Sequence, residues 1–292
     1  MADPFVETET DRTKSKWLGK VYHDFVKEFG RPSTTLRALF YYALKRKDSD
    51  YPICGGFVGE IRITRPYHET DGQKLPKWMA KARKLGFIPA YAILDEIPGE
   101  HIFEPETLPE MPYSIEVWLN KSALSPLLYP VCQKYGATLV SVNEKASDDA
   151  IKSLRARCRK PTIILCLSDL SPGRAFFCRD LALEIAMPST STVDADVKLK
   201  CIGLKPQQIL DLKIPMVSGS SGSKQDNDNF KRYLKSHSLE PRKIAELDAI
   251  EVFFPGGIAG FLDKCLSKYA CNFENENEFW QLDLEKGIFP KD

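Results

Sequence analysis

Residues 163–174, IILCLSDLSPGR, run from an unbroken apolar stretch into a turn that carries a single acid, Asp169. A second apolar stretch, ending at Leu119, runs out in the same way into Asn120. In α/β proteins, ligands bind just outside the carboxyl ends of buried strands, so these two residues mark the chemistry first. A carboxylate there could hold a hard divalent cation, but Asp169 stands alone, with Ser171 where a second acid might be expected. The other reactive pattern is cationic: Lys45, Arg46 and Lys47; Lys81, Arg83 and Lys84; Arg155, Arg157, Arg159 and Lys160. Isolated runs of this kind are ordinarily solvated helix faces. Gathered on one face, with Lys14, Lys16, Lys20 and Lys77 extending it, they would neutralise a phosphate backbone without reading its sequence.

Composition removes several alternatives. The four histidines lie far apart and none pairs with a nearby cysteine, so no zinc site is expected. Eight cysteines without a CxxC pair read as free thiols of a reducing cytoplasm. The polar, acidic start excludes a signal peptide, and no run of 18 apolar residues exists to span a membrane, so a cytoplasmic, membrane-free protein is expected. With 41 basic against 40 acidic residues, any nucleic-acid partner would have to be held by local patches.

The elements that would position these residues fall into two sets. Residues 1–15 read as a disordered arm, and residues 16–95 as a domain of helices at 16–29, 36–44 and 76–85 followed by a short strand. That order suggests a winged-helix-like module, with an irregular insertion at 48–70. The Pro- and Glu-rich residues 96–112 read as a linker. Residues 113–292 then alternate strand and helix: strands at 113–119, 138–142, 162–167 and 197–202, helices at 122–135, 147–158 and 174–186. Such alternation predicts a parallel sheet flanked by helices, an α/β domain. Residues 218–229, SGSSGSKQDNDN, read as a polar loop, with helices after it near 230–237 and 257–269.

Four segments in this order resemble the A subunit of type VI topoisomerases and, more closely, bacterial and phage Toprim proteins related to it. LRALFY at 36–41 is similar to the winged-helix motif that ends in a strand-breaking tyrosine. EVWLNKSAL at 116–124 is similar to the first Toprim strand and its acidic turn. SDLSPGR at 168–174 stands in the place of the family's DxD motif, and residues 204–208, 224–233 and 246–250 resemble the C-terminal run. The match covers roughly residues 16–270.

The resemblance implies a winged-helix-like domain joined to a Toprim-like domain, and a magnesium site built from one Glu and two Asp. Asn120 stands at the Glu position and Ser171 at the second Asp position, leaving Asp169 as the sole acid of the three. Glu144, Asp148 and Asp149 are most simply caps near a helix N-terminus. Tyr41 reads either as a nucleophile attacking a DNA phosphate, with Arg37 one turn earlier to hold that phosphate, or as a core aromatic. Arg37, Lys45, Arg46, Lys47, Lys81, Arg83, Lys84, Lys121 and Arg174 are the expected nucleic-acid contacts. The expectation is a DNA- or RNA-binding scaffold without a cofactor, its Toprim centre inactive, working with other protein subunits, with a homodimer among the assemblies open to it. Mobile-element biology or antiviral defence is the setting the resemblance suggests. The alternative is a magnesium-dependent nuclease or topoisomerase-like enzyme using Asp169 and Tyr41; the third is a protein-interaction module.

Overall fold

Thr8 opens the first helix: its hydroxyl accepts the amide of Asp11 at 3.1 Å, and Glu9 and Asp11 suit the positive end of the helix dipole. Helix α1 therefore spans Glu9–Phe29, and the arm expected as far as residue 15 is helical from residue 9. The computed structural model describes residues 8–46, 51–107, 111–142, 145–187, 197–219 and 222–271. It divides into two units, at residues 1–95 and 96–292.

In the first unit, α1 ends at Gly30, whose φ of 68° is the left-handed conformation that closes helices. Strand β1 (Thr34–Thr35) leads into α2 (Leu36–Lys45), capped by the Thr35 hydroxyl. The insertion expected to be irregular is an antiparallel hairpin, β2 (Ile53–Val58) and β3 (Ile61–Arg65), turned by Gly59 with φ 59°. Helix α3 (Leu75–Lys84) and strand β4 (Ile93–Leu94) follow, and β4 pairs in parallel with β1. The hairpin thus stands between the second and third helices. The core is aromatic: the Trp17 ring lies 5.0 Å from Tyr67 and 6.0 Å from Trp78, and Phe25 lies 5.6 Å from Tyr42.

The second unit is α/β with a mostly parallel sheet. Its elements run β5 (His101–Phe103), β6 (Ser114–Leu119), α4 (Ser125–Lys134), β7 (Thr138–Ser141), α5 (Asp148–Arg157), β8 (Thr162–Leu167), α6 (Phe177–Ala186) and β9 (Val197–Gly203). The strand order is β5-β7-β6-β8-β9, parallel throughout except for β5. Residues 96–112 are therefore not simply a linker, because Ile102 pairs with Val140 and makes β5 the antiparallel edge. Proline- and glutamate-rich sequence suits an edge strand as well as it suits a tether. Trp118, Val140, Ile164 and Leu199 face Ile151 and Leu154 of α5 and Phe177 and Leu181 of α6. Three thiols lie in the same core: Cys166 and Cys201 are cross-strand partners, and Cys178 on α6 is within hydrogen-bonding reach of Cys166. Burial raises the Cys166 and Cys201 pKa values.

Beyond the sheet come α7 (Pro206–Asp211), β10 (Val217–Ser218), α8 (Lys224–Ser236), β11 (Lys243–Ile244), α9 (Ile250–Phe253) and α10 (Gly257–Cys271). The polar loop expected at 218–229 is helical from Lys224. Ser223 and Asp226 form a reciprocal capping box, in which the Ser223 amide and hydroxyl both donate to the Asp226 carboxylate. The serine and aspartate that suggested a solvated loop are the start signal of a helix.

Candidate functional site

The chain leaves β6 toward β7 through α4 and leaves β8 toward β9 through α6, so the connections diverge between these neighbouring strands. That divergence opens the crevice where open α/β sheets place their sites. Asn120 and Lys121 follow β6 there, and Ser168, Asp169 and Ser171 follow β8; all five are buried.

Lys121 sets the character of this crevice. Its ammonium lies 3.9 Å from Asp169 Oδ2, 3.6 Å from Glu246 Oε1, and in close contact with Asp248. Burial alone would lower the pKa of Lys121, but Asp169, Asp248 and Glu246 together raise it above its ordinary value and hold the side chain charged. Asp169 is fully engaged: Oδ1 accepts the Leu247 amide at 2.8 Å, and Oδ2 accepts Arg174 at 2.8 Å. Reciprocal backbone hydrogen bonds between Leu170 and Ala245, at 2.9 and 3.0 Å, align the two segments. Residues 245–248 are thereby laid across the end of β8, and both of their acids reach Lys121.

This arrangement does not suit a catalytic magnesium. Such an ion needs several free oxygens, and here an ammonium and a guanidinium take up the carboxylates that would supply them. Of the three expected ligand positions, Asp169 is committed to Arg174, Lys121 and the Leu247 amide, while the side-chain carboxamide of Asn120 is buried without a hydrogen-bond partner and Ser171 is buried. Among the described residues, no group of three or more His, Cys, Asp or Glu is placed to hold a metal ion. Glu144 lies outside the described residues; Asp148 and Asp149 sit in the first turn of α5, where Ser147 provides the cap.

The expected nucleophile lies elsewhere. Tyr41, on α2 in the first unit, is wholly buried, its ring edge-on to Phe40 at 5.2 Å. Arg37 stacks over Phe40 at 4.0 Å. A nucleophile would have to meet its phosphate in the open, whereas this ring is packed inside the first unit.

The expected nucleic-acid contacts divide by exposure. Lys121 is buried among carboxylates rather than presented at the surface. Arg174 is drawn onto Asp169, Arg46 onto Glu28, Lys81 onto Asp11, and Arg83 onto Asp95 and the Ile93 carbonyl. Lys45 and Lys84 are exposed, and Lys47 lies outside the described residues. Lys77 and Lys84 are joined on α3 by Lys74 just before the helix, all exposed, at spacings that share a helix face. Of the third basic run, Arg157 binds the buried Glu116 through two hydrogen bonds of 2.9 and 3.1 Å, and Arg155 caps the Ile185 and Met187 carbonyls at the end of α6. Both arginines therefore serve the fold.

Glu246 and Asp248 are site residues that sequence reasoning missed. The available signal was slight: two acids flank the buried Leu247 in an extended approach to a turn, and nothing local says that they meet Lys121, more than a hundred residues earlier. No described helix is long and apolar enough to cross a membrane. In comparisons with known proteins, no protein-family model and no curated protein matches the chain.

Proposed function

We propose that this chain is a nucleic-acid-binding component of a larger cytoplasmic assembly, with a winged-helix-like first unit and a Toprim-like second unit of topoisomerase VI A type. In this reading its sheet-end centre is closed to metal-dependent strand cleavage. The observation that carries the reading is the Lys121 ammonium buried among Asp169, Glu246 and Asp248. A fixed internal cation supplies the charge that a bound metal would otherwise bring, but it cannot polarise a phosphodiester as a Lewis acid or activate a water. The exposed lysines around α3, at 74, 77 and 84, support phosphate-backbone contact by the first unit.

Supercoiled plasmid incubated with the protein and magnesium or manganese tests the closed centre, and the expected result is no nicking. Nicking that disappears in Asp169→Ala would overturn the reading in favour of a metal-dependent nuclease. Filter binding of DNA and RNA at low salt tests the partner. Retention is expected, weakened about tenfold by the double change Lys77→Glu and Lys84→Glu, each of which removes a cation and adds a like charge to the phosphates. No retention of either nucleic acid would leave a protein-interaction module in its place.

A further inference from the structure

Strand β3 is exposed along nearly its whole length, a state that strands of folded proteins ordinarily avoid. The hairpin it forms with β2 is a sheet of only two strands. Strand β2 buries Ile53 and Cys54 and packs on α1, whereas β3 holds Ile61 at 73% and Ile63 at 47% exposure, with Val58 of β2 beside them at 64%. These are three of the nine large hydrophobic side chains left in solvent among the described residues. Val58 and Ile61 are direct cross-strand partners, so the three form one aliphatic patch.

The backbone of β3 is open as well. The two-residue loop Gly59-Glu60 makes Val58 and Ile61 the hydrogen-bonded closing pair. Alternation along an antiparallel strand then turns the N–H and C=O groups of Arg62 and Thr64 away from β2. An unpaired edge beside an aliphatic patch is a template for another strand.

We propose that this edge binds the same edge of a second copy of the chain, joining two hairpins into one four-stranded antiparallel sheet centred on Ile63. The register follows from the side chains. Pairing about Ile63 sets Arg62 opposite Thr64 of the other copy and Arg65 opposite Ile61, so no two arginines face one another. Arg62 and Thr64 are also the residues with outward hydrogen-bonding groups, and pairing them gives four backbone hydrogen bonds by symmetry. Centring on Arg62 would set two guanidinium groups directly opposite, which is destabilising. Centring on Thr64 would bring Pro66, which has no N–H, against the edge. Arg65 is already neutralised by Asp71, through hydrogen bonds of 2.6 and 2.7 Å, and adds no repulsion. In the chosen register six aliphatic side chains, three from each copy, share one face. A contact of this size falls short of a permanent interface, so the association is weak and concentration-dependent.

Sedimentation velocity on the full chain, from low micromolar to sub-millimolar concentration, tests this. The mass should rise from that of the 33.1 kDa monomer toward twice that value. Ile63→Glu and Ile63→Lys should each stay monomeric, with circular dichroism and Tm unchanged because the position is exposed. Mixing these two variants should restore the dimer, because residue 63 faces itself across the two-fold axis. Ile102→Lys, an exposed position on β5 of the second unit, should associate as the wild type does. A wild type that stays monomeric throughout, variants that dimerise unhindered, or a mixture that fails to recover would each overturn the proposal. Retention of a monomeric wild type, but not of Ile63→Glu, on anionic vesicles or DNA would also overturn it and give the edge to that partner.

Discussion

Lys121 joins three parts of the second unit that are remote in sequence: the end of β6, the turn after β8, and the segment whose two acids flank Leu247. Removing its charge while keeping its bulk, as in Lys121→Met, leaves Asp169, Glu246 and Asp248 facing one another without the ammonium between them. We expect a loss of about 3–5 kcal/mol in chemical denaturation at neutral pH, the range for breaking a buried ion pair from one side. The wild type has a pH dependence of its own. Its Lys121 pKa is raised on folding, so the contribution is complete below the ordinary lysine value and fades only as the pH climbs through the folded one. Asp71 shows the opposite sign in the first unit. Burial would raise its pKa, but the hydrogen bonds from Arg65 and the His68 amide outweigh that and leave it lowered. Its contribution is complete above the ordinary aspartate value and is lost as the pH falls through the lowered one. Asp71→Asn should therefore cost about 1–3 kcal/mol at pH 7 and flatten the acid side of the pH–stability curve.

At the scale of elements, the capping box of α8 is the sharpest case. Ser223→Ala removes the hydroxyl that accepts the Asp226 amide, and should cost about 1 kcal/mol and lower amide protection in the first turn of the helix by native-state hydrogen exchange. The same box shows what the sequence could and could not convey. Strand β8 was legible because a fully buried parallel strand is a continuous apolar run, β6 because Glu116 alone interrupts such a run, and α2 because a threonine cap precedes an apolar helix. Of helix α8 the second half was read, near 230–237, but its start was hidden because the first turn is spelled in residues that also make loops, and only the spacing of Ser223 and Asp226 separates the two. Strand β5 was hidden because it is only three residues long and none of them is fully buried. Hairpin β2–β3 was hidden for a related reason, since its β3 exposes Ile61 and Ile63 and so lacks the in-and-out alternation of a half-buried strand. In the centre, Asn120, Asp169 and Ser171 were placed correctly at strand ends, but their partners Glu246 and Asp248 come from a segment brought in by tertiary structure alone.

For the whole molecule, the near balance of 41 cations and 40 anions limits how nucleic acid could be held. If the lysines at 74, 77 and 84 are the main phosphate contacts, the slope of log affinity against log salt should be about −3, because roughly 0.9 counterions are released per phosphate neutralised. A slope near −10 would require a cationic surface much larger than this face. The two proposals separate cleanly, because the hairpin variants alter mass and the α3 variants alter retention on nucleic acid. One further property follows from the thiols under α6. Cys166 and Cys178 are buried, so alkylating reagents meet these two only when the sheet and its covering helix come apart. The chain thus carries a built-in clock: the rate at which these two thiols are alkylated times the parting of β8 from α6.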